Sequence, residues 1–199
     1  LDEIIKKIER VIEREKKIKK IIINGDLKHE FSQLHRFEWR DIEKFLEYLK
    51  ERFEEIIVVR GNHDNYLKLA LKKYDIPLYE SFYEMGEFLF THGDKLIVNV
   101  FSKPYLIIGH EHPAMVVKDD VGVAARTSCF LVGKKENTTI IVLPAFAPLF
   151  LGSDVLAMSK SSLLSPILRL VGIEDFRIYA CLEDEILEFP EVRVVRKHA

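Results

Sequence analysis

Lys20-Ile21-Ile22-Ile23-Asn24 runs into Gly25-Asp26, and Ile56-Ile57-Val58-Val59 runs into Arg60-Gly61-Asn62-His63-Asp64. Each is a short β-branched run closed by a glycine loop, the pattern of a buried strand that ends at a turn. Upstream of the first run, Leu1, Ile4, Ile5, Ile8, Val11 and Ile12 recur three and four apart, which predicts an amphipathic helix. Phe37 to Phe53 repeats that period through Ile42, Phe45, Leu46 and Leu49. Helix, strand, helix, strand is the order of a parallel sheet wound with crossover helices, and such sheets bind ligands in the loops beyond the carboxyl ends of their strands. A crossover helix needs a strand before it. Leu1 already lies in the helix, so the expectation is a single domain over 1–199 that is N-terminally incomplete, its first strand missing.

Beyond a helix near Asn65 to Tyr74 the texture changes to short strands: Phe82 to Met85, Glu87 to Thr91, Tyr105 to Ile108, Met115 to Val117, Thr127 to Val132 and Thr139 to Leu143. Phe176 to Leu182 and Ile186 to Phe189 read as a hairpin around Glu183-Asp184-Glu185. Ser153 to Leu170, with Pro166, reads as irregular or short helical structure. A parallel half followed by a strand-rich half predicts an α/β fold with two packed sheets flanked by helices.

The 199 residues are 48% hydrophobic and 31% charged, which excludes a disordered tail. Thirty Lys+Arg against 32 Asp+Glu give a net charge of -2, so no global basic field draws the chain to a polyanion, and nucleic acid would have to be met by a local patch. Cys129 and Cys181, the 2 cysteines, are too few for a disulfide scaffold and point to a reducing, cytoplasmic setting. No apolar run approaches the ~20 residues of a membrane span. The lone glutamine, Gln33, amid many Glu and Lys matches the bias of thermophile proteins.

Four loops follow apolar runs and carry metal-binding side chains: Asn24-Gly25-Asp26, Gly61-Asn62-His63-Asp64, Thr91-His92-Gly93-Asp94 and Gly109-His110-Glu111-His112. Alone, each has a structural reading: Asp26 as a cap, Asn62 as a turn residue, His92 as a strand-end histidine, His110 and His112 as neighbours on an extended segment. Together they form a mixed Asp, Asn and His set without cysteine, suited to catalytic Mn²⁺, Fe²⁺ or Zn²⁺ rather than to a structural zinc. Four of the 7 histidines sit in these loops.

In order and content the series Gly25-Asp26, Gly61-Asn62-His63-Asp64, His92-Gly93 and Gly109-His110-Glu111-His112 resembles the calcineurin-like metallophosphoesterases. The stretches Gly25 to Phe31, Gly109 to Ala114 and Leu143 to Phe146 are similar to an archaeal subgroup related to a bacterial phosphoesterase associated with a ligase and a helicase. The resemblance implies a four-layer αββα sandwich of two mixed sheets and a site for two divalent ions, Mn²⁺ first, with Fe²⁺, Zn²⁺ or Ni²⁺ as alternatives. Asp26 would bridge both ions; Asn62, His92 and His110 would complete one site, and His112 would join the other. His63 would serve the leaving-group oxygen, oriented by Asp64. The family's Asp-x-His motif, which belongs at the end of a preceding strand, is absent from this chain.

These residues imply a phosphoesterase that hydrolyses a phosphodiester, of nucleic acid or nucleotide, through a hydroxide activated by two metal ions. A phosphoesterase-like scaffold or binding domain with an incomplete metal site is the alternative. Lys28, His29, His35, Arg36 and Lys103 are candidates for one edge of a nucleic-acid groove, or ordinary loop charges. By family analogy DNA repair proteins are candidate partners; no membrane partner is expected. Trp39 is expected to pack beside the first loop, and Phe146 to Phe150 to plug a core or meet a subunit. Both cysteines are expected as small buried hydrophobes, and Arg193, Arg196, Lys197 and His198 as a solvated tail.

Overall fold

A computed structural model describes residues 1–15, 17–27, 36–118, 124–147, 150, 152–182 and 185–198, the side chains of 36–38, 117, 118 and 124 excepted. The chain divides into two compact units, Leu1–Tyr83 and Glu84–Ala199.

The first unit contains helix α1 (Asp2–Arg14), strand β1 (Lys20–Asn24), helix α2 (Arg36–Arg52), strand β2 (Glu55–Val59), helix α3 (Leu67–Lys73) and the two-residue strand β3 (Leu78–Tyr79). The sheet is parallel with order β1-β2-β3, and Asn24 pairs with Val59 at its carboxyl edge. The helical periods place Ile42, Phe45, Leu46 and Leu49 of α2 and Ile8 of α1 in one core with Ile56 and Val58. Complete burial of a leucine such as Leu46 or Leu49 contributes about 1.5–3 kcal/mol. Trp39 packs half-buried against this core; residues 28–35 of the first loop, beside which it is expected, lie outside the described residues. Val11, at the edge of the α1 stripe, is exposed. Sequence reasoning missed β3, because two residues are too few to show a period. Exposed ion pairs such as Lys19–Glu54 at 2.7 Å and Arg52–Glu9 at 2.8 Å tie its surface, each with little effect on stability.

The second unit holds the mixed sheet: β4 (Tyr83–Met85), β5 (Phe88–Thr91), β6 (Tyr105–Ile108), β7 (Pro113–Lys118), β8 (Ala124–Lys135), β9 (Thr138–Val142), β10 (Ser153–Asp154), β11 (Arg177–Cys181) and β12 (Ile186–Glu191). Its path is β10-β7-β8-β9-β6-β5-β4, with β11 paired to β8 and β12. Strands β5, β6 and β9 are mutually parallel, whereas β7, β8 and β11 add antiparallel ladders. The two sheets flanked by helices are those of the expected α/β class; the first is parallel throughout its described strands and the second is mixed. β11 and β12 make the expected hairpin, although residues 183–184 lie outside the described residues.

Between β10 and β11 lie a 3-10 turn (Lys160–Ser162) and helix α4 (Pro166–Val171), which matches the short helical reading of that region. Cys129 is fully buried and burial pushes its thiol up to about 12, while Cys181 is half-buried. Among the closing basic residues one corrects an expectation. Arg193, Lys197 and His198 are exposed, but Arg196, in helix α5 (Val192–Arg196), donates from its guanidinium to the carbonyls of Val155, Leu156 and Met158 and to Glu174. Alternating Arg and Val reads as an exposed tail only until distant carbonyls are found to receive the cation. No described helix is long and apolar enough to cross a membrane.

Candidate metal centre

In the first unit the candidate residues leave the sheet together. Register places the end of β1 beside the end of β2, so Gly25-Asp26 and Gly61-Asn62-His63-Asp64 start from neighbouring strands. Gly61 makes that approach possible. A Cβ there would lie 2.1 Å from Asp26 Oδ1 and 2.3 Å from its backbone nitrogen. The Asp26 carboxylate Oδ1 accepts the main-chain N–H of His63 at 3.0 Å, and Asp64 Oδ2 accepts the N–H groups of both Asp26 and Gly61 at 2.9 Å. Asp64 is buried, so these charge-assisted bonds clasp the two loops without competing water. His63 Nε2 stands 3.9 Å from Asp26 Oδ2. Asn62 sits between two residues that both touch Asp26.

In the second unit the same strand-end logic operates. Thr91 pairs with Ile108, so His92 follows β5 beside the Gly109-His110-Glu111-His112 turn that follows β6. Gly109 N–H donates to His92 O at 3.0 Å. The His92 and His110 rings lie 5.0 Å apart at 63°, and His92 is buried. His112 meets Phe150 edge to face at 5.7 Å, and its carbonyl accepts the Ser153 N–H at 2.8 Å. Phe146 is exposed, whereas Pro148 and Leu149 lie outside the described residues.

Backbone conformation singles out the same positions. Six described non-glycine residues have left-handed φ, and three are candidate ligands: Asp26 at 52°, His110 at 51° and His112 at 48°. A side chain in that region costs of order 1–3 kcal/mol, so surrounding contacts must enforce it, and such residues concentrate at functional sites. The donor chemistry fits a divalent ion of borderline hardness: neutral imidazoles from His92, His110 and His112, a carboxylate from Asp26 and a carboxamide from Asn62.

The sequence did not reveal two further residues. Glu111, the middle position of the His110–His112 turn, is fully buried, and its two carboxylate oxygens accept the N–H groups of Leu164 at 3.0 Å and Ser165 at 2.9 Å. Burial pushes its carboxyl above the usual range, and the two backbone donors oppose that rise. Ser165, also fully buried, donates its hydroxyl to Gly93 O at 2.7 Å. A glutamate between two histidines was the one available signal. Among the candidate groove residues, Lys103 is engaged with Glu84 and Gly86 O, each at 3.2 Å. Lys28, His29 and His35 lie outside the described residues, as does the Arg36 side chain.

Comparison with known proteins bears on the fold and the family. The nuclease MPE of Pseudomonas putida superposes with a TM-score of 0.63 over 94% of this chain and 78% of its own, at 18% identity, a likeness of fold. Vacuolar protein sorting 29 of Cryptosporidium parvum aligns over 86% of this chain and 97% of its own, with 15% identity and a TM-score of only 0.31. Among curated proteins none matches the sequence. The family model of the calcineurin-like phosphoesterases matches residues 1–157, which takes in every candidate ligand. Motif order, strand-end placement and that match agree: the chain belongs to the calcineurin-like phosphoesterases, hydrolases dependent on divalent metal ions.

Proposed function

We propose that this phosphoesterase cleaves phosphodiesters, in nucleic acid or nucleotides, with two metal ions. The observation that carries the reading is the left-handed backbone at Asp26, His110 and His112, strain spent on three residues whose shared property is ligand chemistry. The fold likeness to a protein described as a nuclease supports the substrate class. When bound, divalent ions would neutralise phosphoryl charge and acidify a water for in-line attack.

The chain's own residues divide the remaining work. Asp26, Asn62, His92 and His110 would hold one ion, and Asp26 with His112 would contribute to the other, with Mn²⁺ the first choice. Neutral Asn62 would leave its ion more electrophilic than a second carboxylate would. His63 protonates the departing oxygen. Its main chain is pinned to Asp26 Oδ1 while the imidazole stays beside the same carboxylate, next to the reacting atoms on this reading. Asp64, through the Asp26 and Gly61 N–H groups, keeps the His63 loop in register with Asp26. The setting is cytoplasmic, and DNA repair proteins are the candidate partners.

The test is metal binding combined with turnover. The chain is loaded with Mn²⁺, Fe²⁺, Zn²⁺ or Ni²⁺ and assayed on bis(4-nitrophenyl) phosphate, 4-nitrophenyl phosphate and a single-stranded oligonucleotide. Metal-dependent cleavage of the diesters ahead of the monoester is expected. Metal binding without turnover on any of them would favour the scaffold reading, and a monoester preference would overturn the diester assignment.

A further inference from the structure

Glu111 separates two candidate ligands, yet its carboxylate turns away from ligand duty. Both oxygens are committed to main-chain donors 53 and 54 residues away, and the Glu111 side chain itself is fully buried. Its neighbours on either side, His110 and His112, have the left-handed φ of 51° and 48° that side chains normally avoid. Two such residues flanking one anchored residue are held in a conformation that local sterics disfavour, and the anchor is one of the contacts that keep them there, beside the Ser153 N–H bond to His112 O.

Ser165 extends the anchor to the third histidine. Its N–H is bound to Glu111 and its hydroxyl to Gly93 O, the residue directly after His92. Gly93, at φ 97°, is itself crowded: a Cβ there would lie 2.3 Å from Ile108 Cγ2 and 3.4 Å from Ser165 Oγ. A single buried side-chain pair therefore fastens the loops carrying His92, His110 and His112 to the segment that leads into α4.

We propose that Glu111 and Ser165 are positioning residues that preorganise the three imidazoles for metal, a role that rests on the metal-dependent reading above. Neither touches the ion; they fix where the ligands stand before it arrives. Supporting residues of this kind typically change metal affinity or activity by 10- to 100-fold when altered.

The experiment measures Mn²⁺ affinity of the chain by calorimetry well below its melting temperature, with Mn²⁺ alone as the probe. Glu111→Gln keeps the shape but replaces one acceptor with an amide that faces a main-chain N–H, and should weaken Mn²⁺ binding roughly 10- to 100-fold. Ser165→Ala removes only the tie to Gly93 and should fall near the lower end of that range. It remains informative if the glutamine variant fails to fold. Thr138→Val is the control: it removes a buried hydroxyl that bonds Phe101 O and Lys103 O in the same unit, away from the histidine loops. It should lower the melting temperature and leave Mn²⁺ affinity unchanged. Excess Mn²⁺ should restore most of the turnover of Ser165→Ala on bis(4-nitrophenyl) phosphate.

If Ser165→Ala and Thr138→Val shift Mn²⁺ affinity equally, or if Ser165→Ala and folded Glu111→Gln bind like the parent, the positioning role is overturned while the metal reading stands. A parent chain that does not bind Mn²⁺ or any other divalent ion overturns both.

Discussion

In the Leu1–Tyr83 unit the candidate carboxylates are themselves the fasteners: Asp26 accepts the His63 N–H, and Asp64 accepts those of Asp26 and Gly61. In the Glu84–Ala199 unit the candidate ligands are histidines, and the buried hydrogen bonds beside them are made by Glu111 and Ser165 instead. The difference follows from chemistry. A carboxylate has two oxygens and several lone pairs, enough to bind backbone donors and an ion at once, whereas a neutral imidazole has one acceptor nitrogen to give. In the first unit one carboxylate, Asp26, is thus both a backbone acceptor and a candidate ligand, whereas in the second the acceptors and the candidate ligands are different side chains.

The largest expected effect sharpens this contrast within the first unit. His63 is held there through its main-chain N–H, a bond that the imidazole does not make. His63→Ala should leave metal content and melting temperature nearly unchanged while slowing turnover by roughly 10²- to 10⁴-fold. The loss should shrink for nitrophenyl esters, whose departing oxygens need less protonation. An equal loss for good and poor leaving groups would remove the proton-donor role, and metal loss would make His63 a ligand.

Asp64→Ala tests the clasp of the first unit. One buried and one partly buried N–H group lose a charged acceptor, so urea denaturation should show destabilisation of about 2–4 kcal/mol together with a fall in turnover. An unmoved unfolding midpoint would break the comparison, because Asp64 would then be dispensable as a clasp.

The smallest expected effect comes from the second unit, away from its loops. A Cβ at Gly133 would lie 2.1 Å from the Phe176 ring, so Gly133→Ala overpacks that core and should cost about 1–3 kcal/mol. At a temperature where the variant remains folded, kcat and Mn²⁺ affinity should match the parent. A parallel loss of Mn²⁺ affinity would show that in this unit stability and the histidine loops cannot be separated.

Much of the fold and of the candidate site is legible in local sequence patterns. The β-branched runs at Lys20–Asn24 and Ile56–Val59, the helical periods around Ile8 and Leu46, and the glycine-bounded loops after the strands each occupy a few consecutive residues. They bring Asp26, Asn62, His63 and Asp64 to one sheet edge because parallel strands end side by side. His92 and His110 follow the same rule, since β5 and β6 are parallel neighbours.

Most of the longer elements, the family resemblance and the donor types are readable from the chain alone, since periodicity and ligand chemistry are written within a few residues. Only the folded chain shows that Asp64 is a clasp, that Glu111 reaches residues 164 and 165, that Arg196 is consumed by loop carbonyls, and that Asp26, His110 and His112 take a left-handed φ. The physical reason is common to all four. Each depends on contacts between residues far apart in sequence, and a hydrogen bond spanning 38 or 54 residues leaves no trace in the pattern on either side of it.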